Sequence, residues 1–324
     1  MIIEKLTVPF GEANEILEHL ADIFGEKERE IESEQLLGRE LESNTDIVIR
    51  ATDGKKLLGA VHATIPKSES NIAGLSAMFT TPESRGLGIG KMLFGAIVSE
   101  LERMNVTAMF LGTGEPIAEK LYASFGFRYL YGSGVMIRLA RGGPVDYFKE
   151  RYSAPVGKIT VSEGSAVARI PIIPLALLHL SDLVYDVNLE LVNPCFVTQR
   201  SCMGLYPKYI ACRRMGGNFF SATDEKGTLG AMATIMPITS GGYRFDVFSC
   251  PSFENSLHGL LECAKHSVGA QNSHNGDAKI YMDIANADKK KQITATSLGF
   301  TAESDSVIRI GEFSLESKRY LLNI

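Results

Sequence analysis

The chain has 324 residues, and a prior of about 150 residues per domain divides it into two. With 45% hydrophobic and 22% charged residues and a mean hydropathy of +0.04, it has apolar surface enough for a core, which excludes a disordered chain. A net charge of −5, from 33 Lys+Arg against 38 Asp+Glu, gives no basic field for nucleic acid or an anionic membrane.

The most apolar stretch, residues 170–180 (IPIIPLALLHL), holds two prolines and a histidine and is too short to cross a bilayer. The start, MIIEKLTVPF, lacks the basic region and cleavage site of a signal peptide. The five cysteines (Cys195, Cys202, Cys212, Cys250, Cys263) are odd in number and form no C-x-x-C pair. Free thiols in a cytoplasmic protein without a metal site are the expectation.

In chain order, the apolar spacing of Ile16, Leu17, Leu20, Ile23 and Phe24 predicts helix through most of residues 12–42. Within it, the charged run 25–34 (GEKEREIESE) reads as a solvated helix face with acid–base pairs at helical spacing, in preference to an acidic lid for a cationic substrate. Strands are predicted at 46–51, 56–66 and 73–80, a helix at 88–104, a strand at 108–112, a helix at 117–125 and a strand at 128–138. Gly142-Gly143-Pro144 and Pro155-Val156-Gly157 break regular structure and place a join within 141–158, giving domains 1–145 and 146–324. The second half follows with strands at 228–237 and 243–249, a helix at 253–268, a strand at 278–284, a helix at 288–298 and a strand at 306–310.

The two halves echo each other. Gly59-Ala-Val-His-Ala-Thr-Ile-Pro66 is matched 171 residues later by Gly230-Ala-Met-Ala-Thr-Ile-Met-Pro237. Residues 109–113 (MFLGT) correspond to 281–285 (YMDIA) at an offset of 172, and Gly126-Phe127 to Gly299-Phe300 at 173. Matches in one order at nearly one offset argue for two copies of a fold.

Thr80-Thr-Pro-Glu-Ser-Arg-Gly-Leu-Gly-Ile-Gly-Lys91 joins an apolar strand to an apolar helix. Gly86, Gly88 and Gly90 let backbone approach a ligand, and the first turn of the helix offers unpaired N–H groups and a positive dipole end to phosphate oxygens. Arg85 and Lys91 add positive charge. The spacing excludes a P-loop, because Arg85 and Met92 stand where Gly and Ser/Thr are required, and G-x-G-x-G is not the dinucleotide fingerprint.

At these residues the sequence resembles the GNAT superfamily of N-acetyltransferases, whose [Q/R]-x-x-G-x-[G/A] signature is met by Arg85-Gly-Leu-Gly88-Ile-Gly90. A second family element, A-x-x-x-Y-x-x-x-G-F, is met by Ala118-Glu-Lys-Leu-Tyr122-Ala-Ser-Phe-Gly126-Phe127. The resemblance covers residues 45–140 well. It implies an α+β, three-layer fold of two tandem GNAT-like domains, each a mixed, mostly antiparallel sheet flanked by helices.

The resemblance also implies acetyl-CoA or another acyl-CoA as cosubstrate. Its pyrophosphate would be held by Arg85, Gly86, Leu87, Gly88, Ile89, Gly90 and Lys91, and its pantetheine arm would run along Met78, Phe79 and Thr80. Tyr122 takes the family's place as general acid to the departing thiolate, and the acceptor is an amine on a small molecule. A core aromatic is the alternative for Tyr122. The sequence departs from the family in three ways. Glu115 stands where many members have Asn, the strand 73–80 carries no carboxylate to act as base, and residues 251–261 (PSFENSLHGLL) lack the phosphate signature. His62 and Glu115 are the weak base candidates. Ala295 stands where Tyr122 would recur, so the second copy reads as degenerate, supporting the first and shaping the acceptor site through residues 195–217. Two other functions compete: aminoacyl transfer from tRNA, which the acidic pI and the intact phosphate loop oppose, and a non-catalytic acyl-CoA sensor.

Overall fold

The computed structural model describes residues 1–54, 56–131, 133–193, 202–271, 279–311 and 313–324. The chain divides into two compact units. In the first unit the elements are β1 (Ile2–Thr7), α1 (Ala13–Phe24), α2 (Glu26–Leu36), β2 (Asn44–Asp53), β3 (Lys56–Pro66), β4 (Ile72–Thr80), α3 (Ile89–Arg103), β5 (Ala108–Gly112), α4 (Pro116–Ser124), β6 (Arg128–Tyr129) and β7 (Val135–Leu139). The strands form one sheet in the order β1-β2-β3-β4-β5-β7-β6, antiparallel except for β4 and β5.

Alternation along the strands builds three layers. Ile47, Ile49, Val61 and Ala63 join Leu93, Phe94 and Ile97 of α3 and Tyr122 of α4 in one core. Val48, Leu57, Ala60 and Phe79 face the other way, onto Ile16, Leu17 and Leu20 of α1 and Leu36 of α2. Thus α1 and α2 cover one face of the sheet, and α3 and α4 the other.

The remaining elements are α5 (Pro144–Arg151), β8 (Thr160–Glu163), α6 (Ile172–Ala176), β9 (Val184–Asp186), β10 (Leu191–Val192), α7 (Leu205–Arg214), β11 (Asn218–Thr223), β12 (Leu229–Pro237), β13 (Tyr243–Ser249), α8 (Leu257–Gln271), β14 (Lys279–Ala285), α9 (Lys289–Ser297), β15 (Thr301–Ile310) and β16 (Phe313–Asn323). The second unit's sheet runs β8-β11-β12-β13-β14-β16-β15, with β13 and β14 as its parallel pair. Strand for strand, this is the order of the first sheet. The repeated Gly59 and Gly230 both lie near the start of their strands, as the fourth residue of β3 and the second of β12. A Cβ at Gly59 would lie 2.5 Å from the Phe79 carbonyl oxygen, and one at Gly230 would collide with the Phe253 ring.

Several expectations need correction. The helix expected over 12–42 is two helices, because Gly25 takes φ 94° and ψ 166°, a conformation essentially closed to side-chain-bearing residues. The strand expected over 128–138 is broken into β6 and β7, and the expected join contains α5. β1 was not foreseen, and neither were β8, β11 and β16. The start of the strand expected at Ala278 lies outside the described residues, as does Cys195; Cys202, Cys212, Cys250 and Cys263 are free.

The division between units is also not a single cut near residue 145. Ser165–Ile173 and, among the described residues, 202–205 cluster with the first unit. The reason is packing: a Cβ on Gly74 of β4 would lie 2.5 Å from Met203 Sδ and 2.8 Å from Ile170 Cδ1, so the missing side chain lets both residues close over the strand. Arg169 donates from Nε and Nη2 to the two carboxylate oxygens of Glu40, each at 2.5 Å, in a buried pair.

Candidate active site

β4 and β5 pair only at Ile72–Ala108, Ala73–Met109 and Gly74–Phe110, and no pairing of the two continues beyond. On its other side β4 bulges: Ala60 pairs with Phe79 and His62 with Ser76, so Ala77 and Met78 together face Val61. Ala77 takes φ 49°, a left-handed conformation that a side-chain-bearing residue rarely adopts. Such a bulge takes backbone N–H groups out of the ladder.

Where the strands part there is a cavity of about 290 Å³. Leu75, Ser76, Ala77 and Met78 of β4 line one side, and Leu111 to Glu115, from the end of β5 onward, the other. Phe94, Ala118 and Tyr122 come from α3 and α4, Phe24 and Glu28 from α1 and α2, and Cys202 and Met203 from the later segment. Of residues 195–217, from which an acceptor contribution was expected, Cys202 and Met203 line this cavity, and residues 194–201 lie outside the described set.

The glycine loop leads from β4 into α3 through a 3₁₀ turn at Pro82–Ser84, pinned by Thr81 Oγ1 donating to Ser84 Oγ at 2.8 Å. Gly86 and Gly88 have φ of 79° and 77°, and no heavy atom lies within 4 Å of a Cβ placed on either. The space above them is open. Arg85 and Lys91 are exposed and make no ion pair among the described residues. Leu87 is 68% exposed, whereas Ile89 is buried in the core and can offer a ligand only its backbone. Phe79 likewise turns its ring away from the cavity, 5.7 Å from His19, while Met78 lines it. Glycines, two free cations and the N-terminus of a 15-residue helix make a fitting cradle for a diphosphate.

Tyr122 is 7% exposed, with its ring 4.7 Å from Phe94 and 6.4 Å from Phe127. Burial pushes its phenol up to about 12, so the hydroxyl keeps its proton. Glu115 is exposed, caps α4 by position, and lines the cavity. His62 does not line it. Its Nδ1 lies 2.8 Å from Glu32 Oε2 and 3.2 Å from Ser76 Oγ, and its Nε2 lies 3.0 Å from Asp46 Oδ1. Burial alone would lower its pKa, but the hydrogen bonds to Asp46 and Glu32 and their charges outweigh this and raise it to about 9. An imidazolium with both N–H groups engaged has no lone pair to give, so His62 is a poor base at neutral pH.

The charged run on α2 also departs from expectation. Glu26 and Arg29 pair at the surface, but Glu32 is fully buried and Glu28 is half-buried on the cavity wall. Burial, with the nearby Glu32 carboxylate adding, raises the Glu28 pKa. It is not simply a solvated face.

Residues 13–127 match the model of the acetyltransferase (GNAT) family. Among solved structures, an acetyltransferase of the GNAT family from Staphylococcus aureus is similar at 20% identity over 43% of this chain and 100% of its own, with a TM-score of 0.36. A spermidine N-acetyltransferase from Vibrio cholerae matches at 17% identity over 51% and 93%, with a TM-score of 0.37. A phosphinothricin acetyltransferase from Sinorhizobium meliloti, solved with acetyl-CoA, matches at 13% over 51% and 88%, with a TM-score of 0.38. No curated protein matches.

Proposed function

We propose that the first unit is an acyl-CoA-dependent N-acyltransferase, most simply moving acetyl from acetyl-CoA to an amine of a small molecule. The observation that carries this reading is the cavity opened by the parting of β4 and β5, with the Gly86–Gly90 loop at the end of β4 and Tyr122 in its wall. In this reading Arg85, Lys91 and the N–H groups from Gly86 to Lys91 hold the diphosphate. Met78, Phe79 and Thr80 offer backbone to the pantetheine arm, and a bulge N–H near Ala77 takes the thioester oxygen as charge develops on it. The amine lone pair forms the C–N bond, the C–S bond breaks, and Tyr122 gives its proton to the departing sulfur. A thiol has an ordinary pKa near 8.5, below that of the buried phenol, but the same burial raises the proton affinity of a thiolate formed beside it. Glu115 is the remaining side-chain candidate to receive the amine proton.

The second unit serves in this proposal as a degenerate copy without a donor site. β12 and β13 pair without a register shift, so the bulge is missing. Its own chain fills the place beside β13. Asp246 of β13 accepts from the Val187 N–H at 2.6 Å and pairs with Lys291, whose Nζ donates to the carbonyls of Val184 and Tyr185 at 2.9 and 2.8 Å. Tyr185 stacks on Phe248 at 5.1 Å, and the cavity lined by Val247, Phe248 and Lys291 has about 10 Å³.

The test is Tyr122→Phe, which keeps the ring. Turnover should fall between about a hundredfold and ten-thousandfold, with calorimetry still giving one acetyl-CoA per chain at unchanged affinity. Turnover within about threefold of wild type would remove Tyr122 from the chemistry. Cofactor binding with no transfer to any amine would leave a sensor.

A further inference from the structure

The cavity wall carries two carboxylates, Glu28 and Glu115, and among the described lining residues no lysine, arginine or histidine. Behind it sits a buried group with net negative charge, the carboxylates of Glu32 and Asp46 against the single imidazolium of His62. Glu32 has no exposed surface. One of its oxygens takes His62, and the other, Oε1, has no hydrogen-bond partner among the described residues. The field reaches the cavity: the thiol of Cys202 in its wall is pushed up to about 12 by burial, with Glu32 and Glu28 adding to the rise. The Glu28 carboxylate makes no hydrogen bond or ion pair among the described residues, although the residue is half-buried. An unpaired carboxylate in that position is costly unless a cation arrives.

Glu28 and Tyr122 come from helices on opposite faces of the sheet. They therefore meet different parts of whatever fills the gap. The amine that attacks must shed its proton, the task given above to Glu115, and Glu28, which comes from the α1–α2 side, is left to serve a different nitrogen. Phe24 of α1, also in the wall, adds an aromatic ring, a group that attracts cations.

Resting on the acyl-transfer reading above, we propose that the acceptor carries a second cationic group besides the amine that is acylated, and that Glu28 receives it. A compound with two amino groups on a flexible chain is the simplest member of this class. An amino acid of the same length, with a carboxylate in place of the second cation, is repelled.

The experiment compares putrescine, butylamine and γ-aminobutyrate, together with longer α,ω-diamines, on the wild-type chain and on Glu28→Gln. Binding is measured by calorimetry in the presence of CoA, and turnover with acetyl-CoA. At least one diamine should bind more than tenfold better than its matching monoamine, and γ-aminobutyrate worst. Glu28→Gln should weaken diamine binding by about tenfold to a hundredfold while moving monoamine binding and CoA affinity by less than about threefold. Equal affinity for diamines and monoamines, or a diamine affinity untouched by the substitution, overturns the proposal. So does an equal loss of turnover for every amine, which would make Glu28 a base for the reacting nitrogen. Diamine binding that depends on Glu28 without any acyl transfer would strike the transfer reading and leave the cation site standing.

Discussion

At the scale of single residues, His62 shows how burial decides a role that sequence leaves open. A histidine beside a strand–turn motif is a reasonable base, and only the tertiary structure sets it between Glu32 and Asp46. Its pKa rises from 6.5 to about 9 on folding. A raised value means that the bonded, charged form contributes its full stability below pH 6.5 and loses it as pH climbs through about 9. The loss should be about 3 kcal/mol over that window. Denaturant titrations of wild type and His62→Gln across it should show the wild type's advantage shrinking as pH rises. A constant difference between the two would mean that His62 does not change its protonation on folding. Tyr122 is the contrasting case. Its motif named it, and the structure sets it, buried, in the wall of the cavity where β4 and β5 part.

At the scale of elements, Gly25 fixes where α1 ends and in which direction α2 leaves, and so where Glu28 sits. Nothing lies within 4 Å of a Cβ there, so Gly25→Ala meets no clash and pays only for its backbone. The expected cost is about 1–3 kcal/mol, read as a lower melting temperature. No change in melting would show that α2 can start from another conformation. The central strands were legible because they are long apolar runs between turn residues, and the strand-to-helix loop because its glycines repeat at fixed spacing. β1 was not, since IIEKLT at a sheet edge is short and leaves four of its six residues exposed. Glu28 was not legible either. A glutamate in a charged run looks the same whether it faces water or a cavity, and Cys202 of that wall is far away in sequence. The ion pair of Glu40 with Arg169, 129 residues apart, leaves no local pattern at all.

At the scale of the whole molecule, the two sheets share one strand order, yet the first unit is not finished by its own half of the chain. A fragment of residues 1–145 lacks Arg169, Ile170, Cys202 and Met203. It would lose the ion pair of Glu40 with Arg169 and uncover the Gly74 surface of β4. Expressed alone, it should bind a hydrophobic dye, precipitate readily and transfer no acyl group. A soluble, fully active fragment would show that these returns of the chain are ornamental. The same feature sets a schedule for the nascent protein. Translation runs at about 5–20 residues per second, so the roughly 60 residues between the end of the first sheet and Met203 take about 3–12 s to emerge. Throughout that interval a ribosome-bound sheet stands with one apolar strand bare, and a chaperone that samples nascent chains has its best opportunity there.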